Sequence, residues 1–156
     1  MESVLQATPQ ERLVLRKLVW VGPLTIVMVA LVNLIICRIA VAFFGISDRF
    51  QNLQAPVVIV STTVYLLLAM LAFVLVGLFT RRPIRFYRRL SIIALVLSFS
   101  MPIMALLGVF AVPGMTIRIF WTMIVVHFVS VAITVGLLTT LAGKGEKRAV
   151  SSDVHE

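Results

Sequence analysis

Residues 57–79 read VVIVSTTVYLLLAMLAFVLVGLF. No charge interrupts this run, and its only polar side chains are Ser61, Thr62, Thr63 and Tyr65. At about 1.5 Å per residue a helix of this length covers roughly 34 Å, more than the ~30 Å hydrocarbon core of a bilayer. A barrel strand is about half as long and alternates apolar with polar positions, which this run does not. Only helices or closed barrels satisfy every peptide group in lipid, so the segment predicts a transmembrane helix.

Three further runs follow the same rule: about Leu18 to Phe44, Leu90 to Val112 and about Ile119 to Ala142. The predicted architecture is an all-α, four-helix transmembrane bundle over residues 18–142. A cytoplasmic N-terminal segment (1–17) with a short helical extension precedes it, and a disordered cytoplasmic tail (143–156) follows. Composition agrees. The 156 residues are 61% hydrophobic and 13% charged, with mean hydropathy +1.11; soluble domains carry roughly 45–50% apolar and about 25% charged residues. All six acids (Glu2, Glu11, Asp48, Glu146, Asp153, Glu156) fall outside the apolar runs. A sequence pI near 11.1 would suit a nucleic-acid binder in a soluble chain; here it argues for anionic headgroups instead. The single Cys37 excludes an intrachain disulfide scaffold.

Local signals place the helix ends. Thr8-Pro9-Gln10-Glu11 has the form of a capping box, so a helix is expected to start before the membrane. Gly22-Pro23 predicts either a kink in one long helix or a short break after a surface helix over residues 9–21. Pro56 opens the second helix, Pro102 bends the third, and Pro113-Gly114 ends it. Ala40-Val41-Ala42 mimics a signal-peptidase site, but the apolar stretch before it is too long for a signal h-region, so the first span is expected to be retained.

Orientation follows from the cations. Arg12, Arg16 and Lys17, then Arg81, Arg82, Arg85, Arg88 and Arg89, then Lys144, Lys147 and Arg148 fall on one side. Only Arg38, Arg49 and Arg118 lie on or near the other. The positive-inside rule puts both termini in the cytoplasm.

Polar residues within spans are the first candidates for function. The cluster read here is Asn33, Thr62, Thr63, Ser98, His127 and Thr134. Counting inward at about 1.5 Å per residue places Thr62 and Thr63 roughly 8 Å deep, Arg38 roughly 9 Å, His127 about 12 Å and Asn33 about 16 Å. Helical phase groups Gly22, Val29, Asn33, Ile36 and Ala40 on one face, and Phe120, His127, Thr134 and Leu138 on another. Ala94, Ser98 and Ala105 form a small-residue stripe. Arg38 lies roughly 140° from Asn33 and can snorkel outward. Two readings stand: a polar pocket with His127 as titratable group and Asn33 as its partner, or hydrogen bonds that pin helices together. One His and one Asn without a carboxylate make a sparse site, which favours the second.

The basic loop Arg81-Arg82-Pro83-Ile84-Arg85-Phe86-Tyr87-Arg88-Arg89 also has two readings: a topology determinant among anionic headgroups, or a docking site for an acidic partner or a specific lipid. No metal or cofactor is expected. The chain lacks a C-x-x-C pair and zinc-protease, P-loop and Ser/His/Asp motifs. It also lacks a second intramembrane His for haem, an intramembrane Lys for retinal and a carboxylate for proton coupling. An enzyme is therefore not expected.

Asn33, Thr63, Arg82-Pro83 with Phe86 and Arg88, Ser98, and Met123 to His127 resemble, in this order, an uncharacterised bacterial family of small four-helix membrane proteins catalogued as a domain of unknown function. The resemblance covers about Lys17 to Leu141. It implies a bacterial plasma-membrane setting and no mechanism, and it names Asn33 and His127 again. The function expected is a non-catalytic accessory or assembly partner, self-associating or joined to a larger membrane complex. The alternative is a small transporter or permeability protein that handles an apolar or cationic solute through an outer-half polar pocket around His127 and Asn33.

Overall fold

The computed structural model describes residues 15–46, 50–80, 82–110 and 112–141. The capping box at Thr8–Glu11, residues 9–14 of the expected surface helix, Arg81 and the tail from Gly143 lie outside the described residues. The chain forms an all-α, up-down-up-down bundle: α1 (Leu15–Phe44), a 3-10 turn (Gln51–Leu53), α2 (Ala55–Phe79), α3 (Pro83–Ser98), α4 (Ser100–Leu106) and α5 (Ile117–Leu141). Four segments are long and apolar enough to cross a membrane: Lys17–Phe44, Ala55–Phe79, Pro83–Leu106 (α3 with α4) and Ile117–Leu141.

Of the two readings at Gly22-Pro23, one long helix is found and the break is not. α1 is helical through Pro23, so residues 15–21 belong to the same helix as the first span. Pro23 removes the donor to Val19 O, and the helix continues past it. Thr25 Oγ1 donates to Val21 O at 2.7 Å, the back-bond of a helical threonine to the preceding turn. Gly22 packs against Met70 of α2: a Cβ there would overlap the Met70 methyl.

The third span is divided at Phe99, three residues before Pro102. Pro102 has no N–H for the Ser98 carbonyl, and its ring crowds that carbonyl. Phe99 keeps bonds to Leu95 O and Val96 O, both at 3.3 Å. The hydroxyls of Ser98 and Ser100 donate to Leu95 O and Leu97 O at 2.7 and 2.6 Å. Phe99 keeps right-handed helical backbone angles (φ −72°, ψ −17°), so the division is a local loss of helix hydrogen bonding at the place where the bend is predicted.

Two boundaries differ from the sequence reading. The basic stretch is not a loop beyond Arg82: α3 begins at Pro83, a residue suited to a first helical turn, so Arg85, Arg88 and Arg89 ride on a helix. The third span also ends earlier, at Leu106 rather than Val112. Gly108 has φ +74°, its N–H bonds Ala105 O at 3.3 Å, and Val109 N–H bonds Met104 O at 2.9 Å. That pair of bonds is a Schellman motif, which terminates the helix in a residue that glycine tolerates best. Pro113-Gly114 forms a separate turn of type II character, with Gly114 at φ +81° and Met115 N–H bonded to Val112 O at 3.2 Å.

Packing is uneven. α1 makes its broadest contact with α5 and the next with α2, whereas α3 and α4 lean on α2 and α5 from outside. Only 6% of the third span is buried, against 17–22% for the others, so it is the peripheral helix. Two apolar cores stack along the bundle. Near the Leu15 and Leu141 end lie Val21, Phe73, Val76, Tyr87 and Leu138. At the opposite end Cys37, Ala40, Ile46, Phe50, Leu53, Val58 and Ile119 pack together.

The Schellman glycine gives a direct test. Gly108→Ala forces a side chain into the left-handed region and is expected to cost about 1 kcal/mol. Gly136 sits in α5 with nothing within 4 Å of a built Cβ, so Gly136→Ala should leave stability unchanged or raise it by up to ~1 kcal/mol. Unfolding of the two variants in the same detergent compares them.

Candidate functional site

Between the two apolar cores lies a polar layer centred on Asn33, which is 2% exposed. It belongs to the buried stripe of α1 formed by Thr25, Val29, Asn33, Cys37 and Ala40, spaced three or four residues apart. Its amide nitrogen donates to Thr62 Oγ1 of α2 at 3.1 Å and to Ser130 Oγ of α5 at 2.9 Å. One side chain thereby ties three helices.

The second half of the amide is engaged as well. Ser130 Oγ stands 3.1 Å from Asn33 Oδ1 and 2.7 Å from Val126 O. A serine hydroxyl has one proton but two lone pairs. Ser130 therefore accepts from the amide while its proton goes to Val126 O or to Asn33 Oδ1. Both Asn33 N–H bonds are used, and no buried side-chain nitrogen or oxygen among the described residues lacks a partner.

The other expected members are distributed differently. Thr134 is buried one turn beyond Ser130 and donates to Ser130 O at 2.6 Å. Thr63, one residue past Thr62 and so about 100° round the helix, donates to Ile59 O at 2.8 Å outside the layer. Ser98 lies at the division between α3 and α4. Ala94 is exposed, so the small-residue stripe does not form a continuous contact.

His127 is not the partner of Asn33. Its Nδ1 lies 2.7 Å from Met123 O in its own helix, and its ring meets Phe99 edge-on at 6.5 Å. A carbonyl only accepts, so Nδ1 carries the proton of this bond. α5 turns Ile119, Thr122, Thr134 and Leu138 inward, while Phe120 and His127 are half-buried. Ser130 lies three residues on, about 60° from His127 around the helix, and that rotation decides which of the two meets Asn33. The sequence signal for Ser130 is the ladder Val126, Ser130, Thr134 and Leu138, four residues apart on α5.

At the basic end, Arg82 caps α3, and Arg88 Nη2 lies 3.4 Å from Thr139 Oγ1 of α5. Arg82, Arg85, Arg88 and Arg89 are exposed; Arg81 lies outside the described residues. At the far end, Arg118 Nη1 donates to Phe44 O at 2.9 Å, placing a cation on the C-terminus of α1, a favourable site for one. A cleft of about 520 Å³ lies there, lined by Phe44, Ile46, Phe50, Pro113, Ile117 and Arg118 among others. Asn33 is not part of its wall. Among the described residues no three His, Cys, Asp or Glu side chains come together as metal ligands.

Interhelical hydrogen bonds in membranes contribute about 0.6 kcal/mol on average and up to ~1.7. Asn33→Ala removes two and leaves a small void, so a loss of about 1–3 kcal/mol is expected. His127→Ala removes only a bond within one helix and should cost less than ~1 kcal/mol. A double-mutant cycle of Asn33→Ala with Ser130→Ala should give a coupling of about 0.5–1.5 kcal/mol; the same cycle with His127→Ala should give none. No protein-family model, curated protein or solved structure matches the chain. The residues of this bundle are therefore the basis for its functional reading.

Proposed function

We propose that this is a non-catalytic, multi-pass membrane protein that acts as an accessory or assembly partner of other membrane helices. The observation that carries this reading is the saturation of the polar layer. The two N–H groups of Asn33 are spent on Thr62 and Ser130, the one Ser130 proton lies between Asn33 Oδ1 and Val126 O, and Thr134 is spent on Ser130 O. Groups that bind or move a solute must exchange partners with it; these are arranged to hold α1, α2 and α5 together. The peripheral third span, with little of its surface buried, is the element best placed to meet a further helix.

The setting proposed is a bacterial plasma membrane with both termini cytoplasmic. Its support is the concentration of Lys and Arg at the end of the bundle that carries the termini, together with the family resemblance carried by Asn33, Arg82-Pro83 and Ser98.

Native mass spectrometry of protein extracted gently from its own membrane tests the accessory role. A stoichiometric protein mass beyond multiples of 17.3 kDa is expected, and Asn33→Ala should lower abundance and partner retention together. Homo-oligomers with no partner, combined with a variant that keeps its fold but loses flux of a solute, would establish transport in its place.

A further inference from the structure

The first turns of α3 carry Arg82, Arg85, Arg88 and Arg89. At about 100° per residue these four fall within roughly 120° of arc. The opposite side carries Pro83 and Tyr87, both buried. Tyr87 packs edge-on against Phe73 of α2 with ring centroids 4.7 Å apart, and its hydroxyl donates to Ala69 O at 3.4 Å. This lock turns the arginine face away from the bundle.

The same arc continues into the span through Ile92 and Val96, which are both exposed. One face of one helix therefore reads guanidinium first and aliphatic next, from the end of the bundle toward its middle. The contact from Arg88 Nη2 to Thr139 Oγ1 sets the charged part at the seam with α5. No Asp or Glu occurs among the described residues, so within them no carboxylate lies against Arg82, Arg88 or Arg89. The N-terminus of α3 adds to the positive potential there.

We propose that this outer face of α3 is a binding site for an anionic phospholipid of the bilayer. Its phosphate sits among Arg82, Arg88 and Arg89, and an acyl chain lies along Ile92 and Val96. Planar guanidinium groups match phosphate oxygens in pairs, which a diffuse surface charge does not. A soluble phosphate would use only the arginines, and an acidic protein segment would leave the aliphatic stripe unexplained. A phospholipid matches both halves in the order in which they occur. The inference rests on the membrane setting and is independent of the accessory role.

The test uses the full chain in phosphatidylcholine nanodiscs doped with phosphatidylglycerol, with retained lipids counted by native mass spectrometry. The wild-type protein should retain the anionic lipid in preference to the zwitterionic one. Arg88→Gln with Arg89→Gln should lower anionic-lipid affinity roughly 30-fold, the equivalent of two headgroup contacts. Ile92→Ala with Val96→Ala should weaken retention with every charge intact, and Arg118→Gln at the far end should leave it unchanged. Equal retention of the two lipids by the wild-type protein overturns the proposal, whether or not the arginine variant folds. So does glycerol phosphate displacing the lipid at matched concentration, or release of a bound protein rather than a lipid from the arginine variant.

Discussion

Hydrocarbon offers no hydrogen-bond partner to a peptide group, and beside the described departures from a regular helix the side-chain hydroxyls and turn N–H groups of this chain bond neighbouring carbonyls. Pro23 is followed two residues later by Thr25, whose hydroxyl bonds Val21 O. The division at Phe99 is flanked by Ser98 and Ser100, which bond Leu95 O and Leu97 O. Gly108 closes the third span with bonds back to Ala105 O and Met104 O through its own N–H and that of Val109. In water such bonds are worth little, because solvent would do as well. In lipid an unsatisfied group costs several kcal/mol, so the small hydroxyl residues are as structural as the leucines around them.

That constraint changes how polar residues in the spans are to be interpreted. Ser61, Thr63, Thr122, Thr134 and Thr139 all donate to a carbonyl one turn back in their own helix. A hydroxyl used in this way is compatible with any neighbour and marks no site by itself. Asn33 differs because an amide cannot be satisfied by one carbonyl of its own helix. It needs donors and acceptors from elsewhere, and Thr62 and Ser130 supply them from two other helices. The layer fixes the register of α1 against α2 and α5 between the two apolar cores.

The third span shows the opposite balance. Tyr87 and Pro83 anchor one end of it, Pro102 is buried in the other, and most of the remaining surface is open. Its arginines are held on the outward side by the packing of Tyr87 on Phe73. Charge position is thus coupled to a core contact: the aromatic lock on one side of α3 determines what the guanidinium groups on the other side can reach.

The four spans, their helical nature and the special status of Asn33 were legible in the sequence, because each follows from length, hydropathy and the cost of an amide in lipid. Pro102 marked the place where helix hydrogen bonding is interrupted for the same local reason. The partner of Asn33 was not legible: His127 and Ser130 differ by about 60° in phase, and apolar helices carry too weak a periodicity to resolve such a rotation. Nor could local signals show that α1 would pass unbroken through Gly22-Pro23, or that Gly108 rather than Pro113-Gly114 would end the third span. Sequence alone determined what must cross the membrane, since that depends on the solvent. Tertiary packing decided which polar groups meet, since that depends on how each helix is rotated against its neighbours.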